Sequence, residues 1–172
     1  MLEPGSSSYP AELAATGAQG TVKTHSKIGA DGRLLDAQVE TSSKSAQLDE
    51  LAIGYANKLR IKPPSDSKGA QEARLQVTFA RDTVQTILGK TCAEFNTDLA
   101  FARGLDPAAS AASLRGYRLA SGLVMFAKQR GKKEMDAMAK NYKGAPAAIE
   151  SACAAQPDAN FAATFESVIT AK

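Results

Sequence analysis

Few residue types in this 172-residue chain could carry out chemistry, and their spacing does not assemble a catalytic group. His25 is the single histidine, and the alternation around it predicts that it lies on the polar face of a strand, between Lys23 and Lys27. General acid–base or nucleophilic catalysis would require a serine, cysteine or carboxylate spaced to meet it, and the sequence offers none. We therefore predict a surface histidine, a protein that is not an enzyme, and no cofactor.

The two cysteines, Cys92 and Cys153, are the residues best suited to a covalent role. Neither belongs to a CxxC motif, and with one histidine in the chain we predict no metal site. Cys92 shares an apolar helical face with Phe95 and Leu99, and Cys153 shares one with Ile149, so both sulfurs are expected to point inward. A disulfide between them would contribute about 4 kcal/mol and would imply an oxidising compartment. The alternative is a pair of buried thiols.

The residues before position 82 show the alternation of strands and, once, the period of an amphipathic helix. In chain order the predicted elements are a short helix at 10–16, strands at 21–28 and 35–41, a helix at 46–60 and a strand at 75–79. Asp31-Gly32 separates the first two strands and favours a type I′ hairpin turn. The pattern predicts an α+β domain built on a small three-stranded antiparallel sheet with helices on one side.

The residues after Gly89 have helical periodicity, which predicts an all-α second domain. A long helix is expected from about residue 108 to 129, and its apolar face, widened by Leu119, Leu123 and Phe126, suggests the central buried helix. The predicted boundaries are a flexible tail at 1–8, an α+β domain at 9–88 and a helical domain at 89–172 that contains the predicted disulfide.

The net charge of +3 is unevenly distributed, because residues 90–172 contain eleven Lys and Arg against eight Asp and Glu. The basic cluster Lys128, Arg130, Lys132 and Lys133 is interpreted as a solvated helix end, since cations at a helix C-terminus suit its dipole. The alternative is a nucleic-acid or lipid-headgroup site, and we predict no nucleic-acid partner. No run of about 18 apolar residues is present, so no membrane span is expected, and the first residues lack the pattern of a signal peptide.

A series of short motifs in the first half resembles the C-terminal domain of the TonB energy-transducer family. In order they are Tyr9-Pro10, Gly20-Thr21-Val22, Asp31-Gly32, Leu48-Asp49, Arg60-Ile61-Lys62-Pro63 and Val77-Thr78-Phe79. The resemblance covers residues 9 to about 81 and implies a periplasmic protein whose sheet edge takes up a peptide from an outer-membrane transporter by β-augmentation. Carried onto this chain, it implies that the pairing strand is Leu75, Gln76, Val77, Thr78 and Phe79.

The chain departs from that family's usual organisation. Members normally have an N-terminal membrane helix and a Pro-rich spacer, which this sequence does not show, and they end near the third strand. A tether to the inner membrane and a role in energy transduction are therefore alternatives to a domain that only binds.

The second half resembles, more weakly, the HdeA-like periplasmic helical proteins. The matching residues are Thr91-Cys92-Ala93-Glu94-Phe95 and the segment 149–157, which contains Cys153. That resemblance implies helices tied together by two cysteines, as in acid-stress chaperones and toxin-immunity proteins.

Taken together, the patterns and the two resemblances imply a periplasmic protein-interaction module that binds a peptide or protein at the Leu75–Phe79 edge. The alternative is an HdeA-like chaperone or immunity module in which the helices bind and the sheet is a scaffold. Exposed sheet edges also pair with copies of themselves, so a homodimer is a further alternative.

Overall fold

The structure, a computed structural model, describes residues 9–61, 71–126 and 131–171. The predicted flexible tail at 1–8 lies outside the described residues. The chain divides into a sheet unit, Ala18–Phe79, and a helical unit, which comprises the described residues up to Gly17 and those from Ala80 onwards. The predicted domain boundary at position 88 and the independent folding of either part stay predictions.

The sheet unit confirms the predicted three-stranded antiparallel sheet. Its elements are β1 (Gly20–Ile28), β2 (Leu34–Thr41), α2 (Ala46–Lys58) and β3 (Gln71–Phe79), with the strand order β2-β1-β3. Helix α2 packs mainly over β1 and β2. Its buried face, formed by Leu48, Ala52 and Ala56, covers the buried side of the central strand around Val22. The unit thus has one core face and one open face.

The turn between β1 and β2 is not the predicted type I′ turn. The central residues of the observed turn are Ala30 and Asp31, and neither has the positive φ that a type I′ turn requires at both positions. The positive φ, of 78°, is at Gly32, which follows them. The amide of Gly32 donates to the carbonyl of Gly29, and the amide of Gly29 donates to the carbonyl of Arg33. Glycine is required at position 32 because a Cβ there would collide with the carbonyl oxygen of Ile61.

The loop between β2 and α2 is held by one carboxylate. Asp49 accepts hydrogen bonds from the amide of Ser43 at 2.9 Å and from the hydroxyl of Ser42 at 2.5 Å. Burial of Asp49 opposes its ionisation, but these hydrogen bonds outweigh that effect and lower its pKa. The carboxylate also lies in the first turn of α2, where the helix dipole favours negative charge.

The helical unit confirms the predicted helices after the sheet. Its elements are α1 (Ala11–Ala14), α3 (Cys92–Leu105), α4 (Arg115–Phe126), α5 (Lys132–Tyr142), α6 (Ala145–Ala155) and α7 (Phe161–Thr170), with short 3₁₀ turns at Ile87–Gly89 and Ala111–Ser113. Aromatic rings form the centre of its core. Phe95 stacks on Phe161 with ring centroids 4.5 Å apart, and Tyr117 meets the Phe165 ring edge-on at 5.0 Å.

The predicted disulfide is confirmed, since Cys92 and Cys153 are bonded and both are fully buried. The bond joins the first residue of α3 to α6. Next to it, the amide of Cys92 donates to the carbonyl of Ala159. The amide of Phe161 donates to the carbonyl of Lys90. The start of α3 is further closed by a capping box in which Thr91 is the N-cap.

The prediction for the long helix is wrong in two respects. It begins at Arg115 instead of residue 108, because the preceding 3₁₀ turn is held by the Glu150 carboxylate, which accepts from the amide of Ala111 at 2.8 Å. Phe126 is 86% exposed and is not part of the buried face. That face is formed by Tyr117, Ala120 and Val124, and Phe126 projects from another side of the helix.

The interpretation of the basic cluster as a helix C-terminus is also wrong for the residues that the structure describes. Lys132 and Lys133 lie at the beginning of α5, not at the end of a helix. Lys128 and Arg130 lie outside the described residues.

Candidate peptide-binding edge

Strand β3 lies at one edge of the sheet and contains all five residues predicted to bind a partner. It pairs with β1 over nine consecutive residues, from Gly20 opposite Phe79 to Ile28 opposite Gln71, without a register shift. In the parts of the chain that the structure describes, no strand pairs with the other side of β3. The outward-facing backbone groups of this strand are therefore arranged as a template for another strand.

The side chains of β3 divide between the two faces of the sheet. Ala73, Leu75 and Val77 are half-buried and lie on the core face, beside buried residues of β1. They are only partly covered because α2 packs mainly over the other two strands. Glu72 and Arg74 begin the opposite, exposed face. A strand added here would meet an apolar strip on one face and polar side chains on the other.

Phe79 differs from the other four predicted residues, because its side chain is buried. Its ring lies 6.0 Å from the ring of Tyr55 on α2. Phe79 therefore anchors the end of β3 to the core, and only its backbone can contribute to an edge. Gln76 and Thr78 are exposed, and Leu75 and Val77 are half-exposed.

Polar pairs on the open face hold the three strands in register. Arg74 of β3 reaches Glu40 of β2, with Nε 3.0 Å from Oε1, and thus spans the central strand. His25 lies 3.1 Å from the Glu72 carboxylate, which gives the predicted surface histidine an acidic partner. Each exposed pair contributes little on its own, but together they favour the nine-residue register.

A groove of about 400 Å³ adjoins β3. It is lined by Lys23, Glu40, Thr41, Arg74, Leu75 and Gln76. Only Leu75 and Gln76 were among the predicted site residues. Of the other four, Arg74 could have been found by extending the alternation of β3, since that period places it on the same face as Gln76. Lys23, Glu40 and Thr41 lie on β1 and β2, so their presence depends on how the strands are arranged.

The other edge of the sheet is less regular. Strand β2 has two register shifts against β1, between Lys23 and Thr24 and between His25 and Lys27. Asp36 within β2 has a φ of 52°, a left-handed conformation that interrupts the pleat. Irregularities of this kind hinder the addition of a further strand. The two edges therefore differ in their capacity to pair.

A second polar cluster, which the sequence analysis did not predict, lies inside the helical unit. The ammonium group of Lys90 donates to Asp82 at 2.7 Å and to Asp98 at 2.5 Å, and Arg81 pairs with the same Asp98 carboxylate. Burial raises the pKa of Asp98, although the two cations act in the opposite direction. These ion pairs link α3 to the segment that precedes it, and we assign them a structural role.

The cluster borders a cavity of about 300 Å³ that is lined by Arg81, Asp82, Gln85, Thr86, Gly89, Lys90 and Glu94. Within the described residues, no group of His, Cys, Asp and Glu side chains is arranged to hold a metal ion. No helix among them is both long and apolar enough to cross a membrane.

Residues 6–80 match the family described as Gram-negative bacterial TonB protein C-terminal. Searches of curated proteins and of solved structures found no match. The family match ends at the last residues of β3, so the weaker resemblance of residues 90–172 to HdeA-like proteins stays a prediction.

Proposed function

We propose that β3 binds a partner peptide by edge pairing, because residues 6–80 match the TonB C-terminal family, a non-enzymatic protein-interaction family of the Gram-negative periplasm. The partner that the family implies is an outer-membrane transporter. The protein acts as a binding module without catalysis, and a role in energy transduction would follow only if its chain is also tethered to the inner membrane.

The regular nine-residue pairing of β3 with β1 is the observation that carries this proposal. In β-augmentation the main chain of the ligand supplies hydrogen bonds, and its alternate side chains enter the spaces beside the edge strand. β3 offers both components, because its outer backbone is a continuous template and Leu75 and Val77 form a half-covered apolar strip. We expect the ligand to place apolar residues at alternate positions along that strip.

The same geometry makes β3 the preferred edge over β2. A peptide added to β2 would meet the left-handed residue Asp36 and two register shifts, which interrupt a ladder of hydrogen bonds. A second copy of this chain could occupy β3 in the same way, so self-pairing competes with the peptide and should depend on protein concentration.

Two glutamines provide a matched test of the edge. Gln76 on β3 and Gln38 on β2 are both exposed, and they lie on opposite edges of one sheet. A photo-crosslinking amino acid is introduced at either position in the full-length protein, which is produced in a Gram-negative host. We expect an adduct with an outer-membrane transporter from position 76 and none from position 38. Equal adducts from both positions would contradict the proposed edge.

Hydrogen exchange of the full chain adds a backbone measurement. On titration with a synthetic peptide from the crosslinked partner, the outward-facing amides of β3 should exchange more slowly, whereas those of β2 should not change. If residues 90–172 alone retained the partner and β3 showed no protection, the helices would be the binding surface. That outcome would favour the chaperone or immunity interpretation.

A further inference from the structure

The positive charge of this protein is concentrated in one stretch of sequence. Between Asp106 and Glu134 there are six Lys and Arg residues and no Asp or Glu. Removing those six from the count leaves 15 basic residues against 18 acidic ones, so the remainder of the chain is net negative. This stretch spans α4 and the beginning of α5.

The described basic residues of this stretch all occupy the unfavourable end of a helix. Arg115 and Arg118 lie in the first turn of α4, and Lys132 and Lys133 lie in the first turn of α5. A helix N-terminus carries partial positive charge, so cations there are disfavoured. The helix dipole therefore does not explain their position. All four residues are exposed, and Nε of Arg115 donates to the carbonyl of Asp82 at 2.8 Å.

One face of α4 combines one of these cations with apolar groups. Arg115, Leu119, Gly122 and Phe126 follow at i, i+4, i+7 and i+11 and so share one face. Leu119 is half-buried and packs against the core of the helical unit, Gly122 is half-buried, and Phe126 is 86% exposed. A Cβ added at Gly122 would meet no atom within 4 Å, so the middle of this face is open. We call Arg115, Arg118, Leu119, Gly122, Phe126, Lys132 and Lys133 the basic-aromatic surface.

We propose that the basic-aromatic surface binds the headgroup layer of an anionic phospholipid bilayer. Such a layer supplies negative charge for the four cations and, a few ångströms deeper, an apolar region for the Phe126 ring. An exposed aromatic ring in a stretch of sequence that is rich in cations suits this layered partner. Single-stranded nucleic acid is a poorer match, because its binding sites use several aromatic rings on which successive bases stack. This proposal does not depend on β3 or its ligand.

The test uses the full chain and sedimentation with vesicles of two compositions. Neutral vesicles contain phosphatidylcholine alone, and anionic vesicles contain in addition about one third phosphatidylglycerol. We expect binding to the anionic vesicles only, with a partition coefficient that falls as salt is added. Comparable binding to both compositions would overturn the proposal.

Gly122 supplies a matched pair of variants. Gly122→Asp places a negative charge in the middle of the surface, and Gly122→Asn adds a side chain of nearly the same size without the charge. Since a charge near an anionic bilayer changes partitioning about fivefold, Gly122→Asp should bind about fivefold more weakly than Gly122→Asn. Far-ultraviolet circular dichroism of both variants checks that α4 is intact. Equal binding of the two folded variants would refute the assignment of this face.

Phe126→Ala tests the apolar component, and Lys132→Gln with Lys133→Gln tests the charge of the α5 end. We expect the partition coefficient on anionic vesicles to fall about tenfold when the ring is removed and about 25-fold when the two lysines are replaced. A short single-stranded DNA serves as the competing polyanion. If it bound as tightly as the anionic vesicles at equal salt, and if Gly122→Asp weakened both, the surface would be a general polyanion site and the lipid assignment would be wrong.

Discussion

Removing the disulfide between Cys92 and Cys153 should cost the helical unit a large part of its stability. The two cysteines are 61 residues apart, and the bond restricts the unfolded chain to conformations in which they meet. The chain-entropy relation for a loop of that size corresponds to about 4.3 kcal/mol at 25 °C. A domain of ordinary stability has about 5–15 kcal/mol in total, so this loss alone would make the unit marginal.

The cost is expected to be strongly non-additive between the two positions. Either Cys92→Ala or Cys153→Ala abolishes the same cross-link, so each should cost about 4 kcal/mol plus about 1 kcal/mol for the lost packing of a buried sulfur. The double variant should then be destabilised only slightly further than either single variant. Two separate buried thiols would instead give two small losses that add.

Urea unfolding followed by far-ultraviolet circular dichroism measures these losses, since helices dominate that signal. With an m-value of about 1–2 kcal/mol/M, the midpoint of the helical transition should fall by about 2.5–5 M urea in each single variant. The unsubstituted protein, unfolded in the presence of a thiol reductant, is the control and should resemble the double variant. A loss below about 1 kcal/mol in the single variants would refute the reasoning.

Three further substitutions test the packing and electrostatics of the two units. Gly32→Ala should destabilise the sheet unit by about 2 kcal/mol or more, because position 32 has a positive φ and a Cβ there would collide with the carbonyl of Ile61. Gly54→Ala is the control, since position 54 lies in open space on α2, and it should stabilise the unit by about 1 kcal/mol. Thermal unfolding of both variants gives the comparison. Lys90→Met should lower the free energy of unfolding in urea by about 3–5 kcal/mol, because it leaves two buried carboxylates without their shared cation. An unchanged free energy of unfolding would show that the carboxylates become protonated instead. Because the pKa of Asp49 is lower in the folded state than its unfolded value of 3.8, its carboxylate stabilises the folded state above pH 3.8, and this contribution is lost as the pH falls through the folded pKa. The difference in the free energy of unfolding between the protein and Asp49→Asn should therefore shrink in acid. A constant difference between neutral pH and about pH 3 would contradict the linkage.

The elements of the sheet and their order were predictable because each depends on a local pattern. The alternation at 21–28 and 35–41 and the helical stripe at 46–60 both act over a few residues, and the structure places β1, β2 and α2 within a few positions of those ranges. The disulfide could also be predicted, since an apolar face requires its cysteine to point inward. The five residues of the candidate edge fall on β3 as expected, but only the arrangement of strands shows that β3 lies at a regular edge.

Several features were missed because they depend on contacts between distant residues. The start of α4 is set by Glu150 on α6, which accepts from the amide of Ala111 and interrupts a pattern that reads as continuous helix. The exposure of Phe126 depends on where that helix begins and on which side of it Tyr117 packs. The buried ion pairs of Lys90 could not be found from spacing, because Asp82 and Asp98 share no periodic pattern with it.

Local periodicity and a few covalent requirements were therefore enough to specify a three-stranded α+β fold followed by disulfide-linked helices. Alternating burial and the helix period depend on neighbouring residues, so they can be recognised without knowing what packs against each element. Which edge of the sheet is regular, and which face of α4 is open, depend instead on what packs against each element. Those choices arise from long-range contacts, and they determine the two surfaces, β3 and the basic-aromatic surface, at which we propose binding.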